Sequence, residues 1–189
     1  ELISGNNLIS LPGHFDNTSS QDLMNSIIND GTDVLFLLAQ GLGLFNSDNG
    51  WSGNLTDVNP YSGYWINTDG DYTWDLYFEG GAVEGCEAYE TTSGNNLLSY
   101  KWGDGSSSTI EALGGLEHSL ENFNFILGQG LGLFNTGSWS GNLTNLEEGK
   151  GYWVNIKDQG VSNFRWGFDN CELDSDLGRI DSEIINPNE

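Results

Sequence analysis

One stretch of this 189-residue chain occurs twice. Residues 39–68 read AQGLGLFNSDNGWSGNLTDVNPYSGYWINT, and residues 128–156 read GQGLGLFNTGSWSGNLTNLEEGKGYWVNI. A further match lies upstream of each copy, where SGNNLIS at 4–10 corresponds to SGNNLLS at 93–99. A duplication of this extent predicts a fold built from two similar units, because the same pattern of residues favours the same elements in both halves.

The patterns within each copy predict the element order β-α-β-β-β. The helix is expected to begin at a Ser or Asp cap before Leu23–Ile28, and Gly114-Gly115 is expected to shorten its counterpart. The glycine-rich QGLGLFN segment is interpreted as a continuation of the strand before it. Strands are expected at Asn7–Leu11, Val34–Leu38, Gly63–Asn67 and Trp74–Phe78, and at Asn96–Tyr100, Phe123–Leu127, Gly151–Ile156 and Asn163–Trp166.

The chain is therefore predicted to be a β-rich α+β protein in which two tandem β-α-β-β-β repeats pack with pseudo-twofold symmetry. Repeat one spans 1–85, repeat two spans 86–168, and an acidic C-terminal segment spans 169–189. Two separate units joined near Gly80–Gly85 are the alternative arrangement.

The chain is strongly acidic, with 28 Asp and Glu against five Lys and Arg, and its formal net charge is −23. Such a charge repels phosphate backbones and anionic membrane surfaces, so nucleic acid is not an expected partner. No apolar stretch approaches the ~20 residues of a membrane helix, so no membrane insertion is expected. The acidity suits a salty extracellular setting, with cation binding as the alternative explanation.

The two cysteines, Cys86 and Cys171, each follow one copy of the repeated stretch. Their positions make them candidate disulfide partners in an oxidising compartment, with two buried free thiols as the alternative. The chain begins at Glu1 rather than at Met, so a leader or an upstream region is expected to have been removed. These features predict a secreted or cell-surface protein.

Several of the repeated residues resemble a known tandem module. They are Asn7-Leu8-Ile9-Ser10-Leu11-Pro12 in copy one, and Leu146-Glu147 with Gly149-Lys150-Gly151-Tyr152-Trp153 in copy two. The pattern NLISLP…LExGKGYW is similar to a repeat of secreted and cell-surface proteins of environmental, often marine, bacteria. Copy one departs from it at Asn59-Pro60-Tyr61-Ser62, and the resemblance does not extend past Asp169. It implies an accessory module of a large exported protein, without catalytic residues or a settled ligand to carry over.

No arrangement of catalytic residues stands out. His14 and His118 are the two histidines, and they do not occupy matching positions in the two copies. No G-x-S-x-G elbow marks a nucleophile. The chain is therefore predicted not to be an enzyme.

Two oxygen-rich runs are candidate calcium sites. The candidate ligands are Asn67, Asp69 and Asp71 in the first run, and Asp174, Asp176 and Asp181 in the second. Carboxylate and amide oxygens are the ligands that hard cations prefer. Neither run has the EF-hand spacing, and turn formation or solubilising charge explains the same residues.

The seven tryptophans are many for a chain of this length. Most are expected in the core, including Trp65 and Trp153. Core packing or packing between the repeats is also expected of Leu42, Leu44, Phe45, Tyr64 and of their counterparts Leu131, Leu133, Phe134 and Tyr152. Trp51 and Trp139 follow a loop tip and are the expected exposed pair, with rings suited to stacking on sugars.

Together these observations predict a non-catalytic extracellular module, structural or adhesive, such as a subunit of a surface layer, adhesin, filament or virion appendage, with calcium as its candidate stabilising ion. The expected partner is a second copy of the chain or a neighbouring surface protein. A carbohydrate-binding module that holds a glycan on Trp51 and Trp139 is the alternative.

Overall fold

A computed structural model describes residues 1–11, 19–29, 31–74, 88–100, 106–114, 119–157 and 163–167. The first half contains β1 (Gly5–Ser10), α1 (Ser20–Asn29), β2 (Val34–Ala39), β3 (Leu42–Phe45), β4 (Ser52–Gly53) and β5 (Gly63–Thr68). The second half contains β6 (Tyr89–Glu90), β7 (Gly94–Ser99), β8 (Ser106–Ser108), α2 (Thr109–Gly114), a 3-10 helix (Leu120–Asn122), β9 (Phe123–Gly128), β10 (Leu131–Asn135), β11 (Trp139–Gly141), β12 (Asn145–Glu147), β13 (Gly151–Ile156) and β14 (Asn163–Phe164). The prediction of a β-rich fold is confirmed.

Two five-stranded antiparallel sheets form the framework. The first sheet has the order β1-β5-β2-β3-β4, and the second has the order β7-β13-β9-β10-β11. Each strand of the second sheet occupies the place of the strand that matches it in sequence. Two short ladders, β8 with β12 and β6 with β14, complete the second half.

The helices follow the predicted caps and breaks. The hydroxyl of Ser19 accepts a hydrogen bond from the backbone N–H of Asp22 at 3.1 Å, as an N-cap does at a helix start. One face of α1 is buried against the first sheet through Leu23, Met24 and Ile27. The shorter α2 ends at Gly114, where the pair of glycines predicts a break.

Each sheet has an inner face that buries its own apolar core. The first core is mainly aliphatic, with Val34, Leu37, Leu44 and Ile66 from the sheet. The second core is richer in aromatic rings: Tyr89, Tyr100, Phe123, Phe164 and Trp166. Phe164 and Trp166 meet edge to face, with ring centroids 4.7 Å apart, in the arrangement that aromatic pairs favour.

The interpretation of QGLGLFN as a continued strand is wrong. β2 ends at Ala39, β3 begins at Leu42 and these two residues pair, so Gln40 and Gly41 form a two-residue hairpin turn. Gly41 has φ +75°, a conformation that glycine adopts without the steric cost of a Cβ. The second half turns in the same way at Gly130.

The repeated Trp-Ser-Gly-Asn segment brings the chain back against β3. Gly53 has φ +147°, and a Cβ there would lie 2.0 Å from the carbonyl oxygen of Gly43. Asn54 binds both backbone groups of Gly43: its N–H donates to the carbonyl at 2.9 Å, and its Oδ1 accepts from the N–H at 2.8 Å. Gly132, Gly141 and Asn142 repeat the arrangement in the second half.

Within the part of the chain described, no helix has the length and apolar character needed to cross a bilayer.

Candidate functional site

The face of the first sheet opposite its core carries two rows of side chains that cross the strands. One row consists of Asn6, Asn67, Phe36, Phe45 and Ser52, and the other consists of Leu8, Trp65, Leu38 and Gly43. Together with Ser10 and Gly63, these residues are called the first outer face.

The second sheet carries the same two rows. One consists of Asn95, Asn155, Phe125, Phe134 and Ser140, and the other consists of Leu97, Trp153, Leu127 and Gly132. With Ser99 and Gly151 they form the second outer face.

All eleven pairs of corresponding outer-face residues are identical. The inner faces of the same strands have diverged, because six of their pairs differ: Ile9 and Leu98, Val34 and Phe123, Leu37 and Ile126, Ala39 and Gly128, Ile66 and Val154, and Thr68 and Ile156. Other inner pairs are identical, among them Asn7 and Asn96, Tyr64 and Tyr152, and Leu44 and Leu133, so identity is complete on the outer faces and partial on the inner faces.

One part of each outer face is buried where the two halves meet. Leu8 and Leu97 are almost fully buried, and neither belongs to the core of its own half. A Cβ on Gly63 would lie 3.2 Å from the Cα of Gly151, and a Cβ on Gly151 would lie 2.6 Å from the carbonyl oxygen of Ile9. Packing accounts for the identity of these positions, since no larger residue fits between the backbones.

Two glutamines seal the edges of the sheets at this junction. Gln40 accepts from the N–H of Leu97 at 2.9 Å and donates to the carbonyl of Asn95 at 2.7 Å. Gln129 makes the corresponding bonds to Leu8 and Asn6 at the same distances. The free edges of β7 and β1 are thereby occupied, which blocks them as templates for another strand.

The remainder of each outer face is open to solvent. Phe45 is 48% exposed and Phe134 is 44% exposed. Phe36, Leu38 and Trp65 are half-buried, as are their counterparts. Phe45 leans along β3 over Gly43, because a Cβ on that glycine would lie only 2.8 Å from the Cε2 of the phenylalanine. The aromatic ring thus covers the strand where glycine leaves its backbone bare.

The prediction that the GLGLF residues lie in the core or between the repeats is therefore partly wrong, as is the prediction of core positions for Trp65 and Trp153, which belong to neither core. Leu44 and Leu133 are buried, but Phe45 and Phe134 point to the outer face. Leu42 and Leu131 lie on the inner side at the end of the hairpin, beyond the core, and are also exposed. The cause is the strand period of two, which directs adjacent apolar residues to opposite sides of the sheet.

The outer faces differ from the rest of the chain in charge. None of their residues is ionisable, whereas the whole chain has a net charge of −23. Their polar side-chain groups are amides, hydroxyls and the indole N–H of each tryptophan. Asn67 donates to Asn6, and Asn155 donates to Asn95 at 2.6 Å, so each aromatic row is flanked by a fixed pair of amides.

The tryptophans expected to be exposed have a different environment. Trp51 and Trp139 are both half-buried and pack against the cores of their own halves. The indole N–H of Trp51 also donates to Asn25 of α1 at 2.8 Å. Their position after a loop tip predicts exposure, but each indole ring packs inward against the core of its own half.

The first of the two oxygen-rich runs serves backbone hydrogen bonding. Asp69 accepts from the N–H of Asp33 at 3.0 Å, and Asp71 accepts from the N–H of Ser4 at 2.8 Å, while Asn67 belongs to the amide pair. In the described ranges, no group of three or more His, Cys, Asp or Glu is placed to hold a metal ion. Asp174, Asp176 and Asp181 lie outside those ranges, as do Cys86 and Cys171, so calcium binding and the disulfide stay predictions.

Two clefts at the junction of the halves differ in chemistry. One, of about 500 Å³, is lined by Gln40, Leu42, Tyr61 and Glu90. The other, of about 260 Å³, is lined by Gln129, Leu131, Glu147 and Lys150. The loops that line them differ in sequence between the two copies, with Asn59, Tyr61 and Ser62 in one cleft and Glu147 and Lys150 in the other. The two clefts therefore present different side chains.

Three tyrosines have perturbed titration. Burial raises the pKa of Tyr152 to about 12, and burial also raises the pKa values of Tyr64 and Tyr100. The hydroxyl of Tyr152 accepts from the N–H of Glu147 at 2.8 Å, which fixes the loop before β13. The hydroxyl of Tyr64 likewise donates to the carbonyl of Asn59 at 2.9 Å, in the loop before β5.

Comparison with known proteins finds no matching family model, no similar curated protein and no similar solved structure.

Proposed function

We propose that the chain is a non-catalytic extracellular module, structural or adhesive, that contacts its partner through the two outer faces. In this proposal the chain consists of two tandem β-α-β-β-β repeats packed with pseudo-twofold symmetry. The parallel between the two five-stranded sheets supports this arrangement, and so do the contacts between them.

The contacts between the halves are reciprocal. Gln40 binds the edge of β7, and Gln129 binds the matching positions on β1. The N–H of Ser10 donates to the carbonyl of Gly149 at 2.9 Å, and the N–H of Ser99 donates to the carbonyl of Tyr61 at 3.0 Å. Exchanging the halves exchanges the members of each pair, and this reciprocity supports the proposed twofold relation.

The identity of the exposed outer-face residues is the observation that carries the functional proposal. Exposed positions tolerate substitution better than buried ones, because little packing depends on them. In the rows, Phe45 and Phe134 are exposed and identical, whereas the buried pair Val34 and Phe123 has diverged. The exposed pair Leu35 and Asn124, which lies outside the rows, has also diverged. A partner common to both faces provides a constraint that packing does not.

Two equal faces on one chain also define how such a module binds. A partner that presents the same chemistry repeatedly engages both faces, and the second contact becomes intramolecular. This raises avidity by a factor of roughly 10² to 10⁴ without any new kind of contact. Surface layers, filaments and polymer matrices all have this repetitive character.

The test compares the wild-type chain with Phe45→Thr, Phe134→Thr and the double variant. Threonine keeps the strand propensity and removes the ring. Light scattering reports self-association, and pull-down on insoluble extracellular polymers reports adhesion. We expect a binding activity in one of the two readouts that each single variant weakens and the double variant abolishes. Four proteins with the same behaviour in both readouts would contradict the proposal.

A further inference from the structure

We infer that the partner of the outer faces is an uncharged polysaccharide. This inference rests on the proposed function and names the chemistry of the partner. The sequence pattern predicts Trp51 and Trp139 as the contacts for such a ligand. In the structure, Phe36, Phe45 and Trp65 and their counterparts lie on the outer faces instead.

The distribution of charge favours an uncharged partner. The outer faces contain no ionisable side chain, although the chain carries 28 acidic residues. A face built for a cationic partner would present some of those carboxylates, and an anionic partner would be repelled by the chain as a whole. An uncharged partner is the class that this distribution fits.

The exposed groups match the chemistry of a sugar. Phe36 and Phe45 meet with ring centroids 6.4 Å apart, and Phe125 and Phe134 meet at 6.1 Å, so each face exposes a pair of adjoining rings. Amide pairs and the hydroxyls of Ser52 and Ser140 flank those rings in the same rows. Sugars present apolar C–H surfaces bordered by hydroxyls, which match aromatic rings bordered by amides.

The duplication of the face favours a partner with a repeating structure. Both faces have the same residues in the same rows, so both select the same chemical group. A polysaccharide offers that group at every repeat of its chain and engages both faces of one molecule.

A second copy of the chain is the competing occupant. The outer faces are continuous with the junction between the halves, so they are suited to self-contact in shape. Two chains of net charge −23 repel each other, however, and the faces carry no opposite charges to offset the repulsion. The uncharged polymer is therefore favoured, and self-association is measured as an outcome.

The experiment is a depletion binding isotherm on cellulose, chitin and insoluble β-1,3-glucan, with insoluble calcium alginate as the anionic polymer. We expect wild-type retention on at least one uncharged polymer and none on alginate. Each single threonine variant should bind at least tenfold more weakly, and the double variant should not be retained. Ile3→Thr is the matched control, because Ile3 is 58% exposed outside the rows and its counterpart is already Thr92. It should bind like the wild type.

The outcomes separate this inference from the proposed function. Retention on no uncharged polymer, or retention that survives in the double variant, would overturn the inference. If the wild type instead forms oligomers that the double variant loses, the faces bind a second copy: the proposed function stands and the polysaccharide does not. If the double variant matches the wild type in every readout, both fail.

Discussion

Gly43 and Gly53 show how much of this fold depends on single glycines. Gly53 places its Cα against the carbonyl of Gly43, and Gly43 lies beneath the ring of Phe45. The first contact allows β4 to turn back over β3, and the second allows an aromatic residue to lie against the outer face. Glycine at both positions therefore connects the repeated sequence to the exposed rings.

The variant Gly53→Ala should be strongly destabilising. Its Cβ would lie 2.0 Å from a backbone oxygen, and its φ of +147° is unfavourable for any residue with a side chain. We expect a loss of about 2 kcal/mol or more in the free energy of unfolding, measured by urea denaturation. Gly70→Ala is the control, since a Cβ there meets nothing within 4 Å, and it should change stability by less than about 0.5 kcal/mol. Equal losses in the two variants would refute this role for Gly53.

Tyr152 should make the fold sensitive to alkaline pH. Its pKa is raised from the usual value near 10 to about 12, because burial disfavours the phenolate. The folded state holds the proton more tightly than the unfolded state does, so the stabilisation is complete below pH 10 and is lost as the pH rises towards 12.

The measurement is the free energy of unfolding across that pH range for the wild type and for Tyr152→Phe. The variant should lose about 1 kcal/mol at pH 8, because the N–H of Glu147 loses its acceptor, yet its stability should fall less steeply above pH 10. Parallel curves would show that Tyr152 titrates in the same way in both states.

Among the elements, β1 and β7 are the strands whose free edges the junction protects. Both are edge strands, and unpaired edges recruit other strands. The glutamine at each β-hairpin turn occupies the edge of the opposite half, so the turn of one sheet protects the other. The hairpin sequence therefore has a second role besides reversing the chain.

Gln129→Ala should expose one edge and leave the other sealed. We expect faster amide hydrogen exchange at Leu8, whose N–H bonds to Gln129, and unchanged exchange at Leu97, which bonds to Gln40. Gln40→Ala should give the reverse pattern. Uniform acceleration at both amides in either variant would mean that the glutamines stabilise the whole fold and not a particular edge.

Sequence reasoning located most elements and missed the hairpin. α1 and the strands at Val34–Ala39 and Gly151–Ile156 follow from a cap and from apolar runs, which are local signals. Gly-Leu-Gly-Leu-Phe alternates with the period of a strand, so the period did not reveal the turn at Gln40 and Gly41. The backbone pairing of Ala39 with Leu42, which side-chain periodicity does not report, places the turn at these two residues.

The outer faces were missed for a related reason. Both sides of β2 are apolar, with Phe36 and Leu38 on one side and Leu37 on the other. An apolar residue is assigned to the core by default, and only the structure shows which side of the sheet the helix covers. The sequence does contain a signal for them. Alternate residues of each strand point to opposite faces, and only one of the two alternating sets is identical between the copies.

At the scale of the whole molecule, two small cores are joined by a junction in which Gly63 and Gly151 meet and Gln40 and Gln129 bridge the sheet edges. Each half has its own apolar cluster, while Tyr61 of the first half packs against the core of the second. The junction buries part of each outer face and leaves the aromatic rows open. One chain thus presents the same uncharged surface twice.

The central claim is that these exposed rows are kept identical by a partner and not by folding. It is tested most directly by the free energy of unfolding of the Phe45→Thr and Phe134→Thr double variant, measured beside its binding. We expect stability within about 2 kcal/mol of the wild type, since both rings are nearly half exposed, together with a complete loss of binding. The buried Phe123→Ala is the calibrating variant, with an expected loss of about 3–5 kcal/mol. A double variant as unstable as Phe123→Ala would contradict the account, because packing alone would then explain the identical faces.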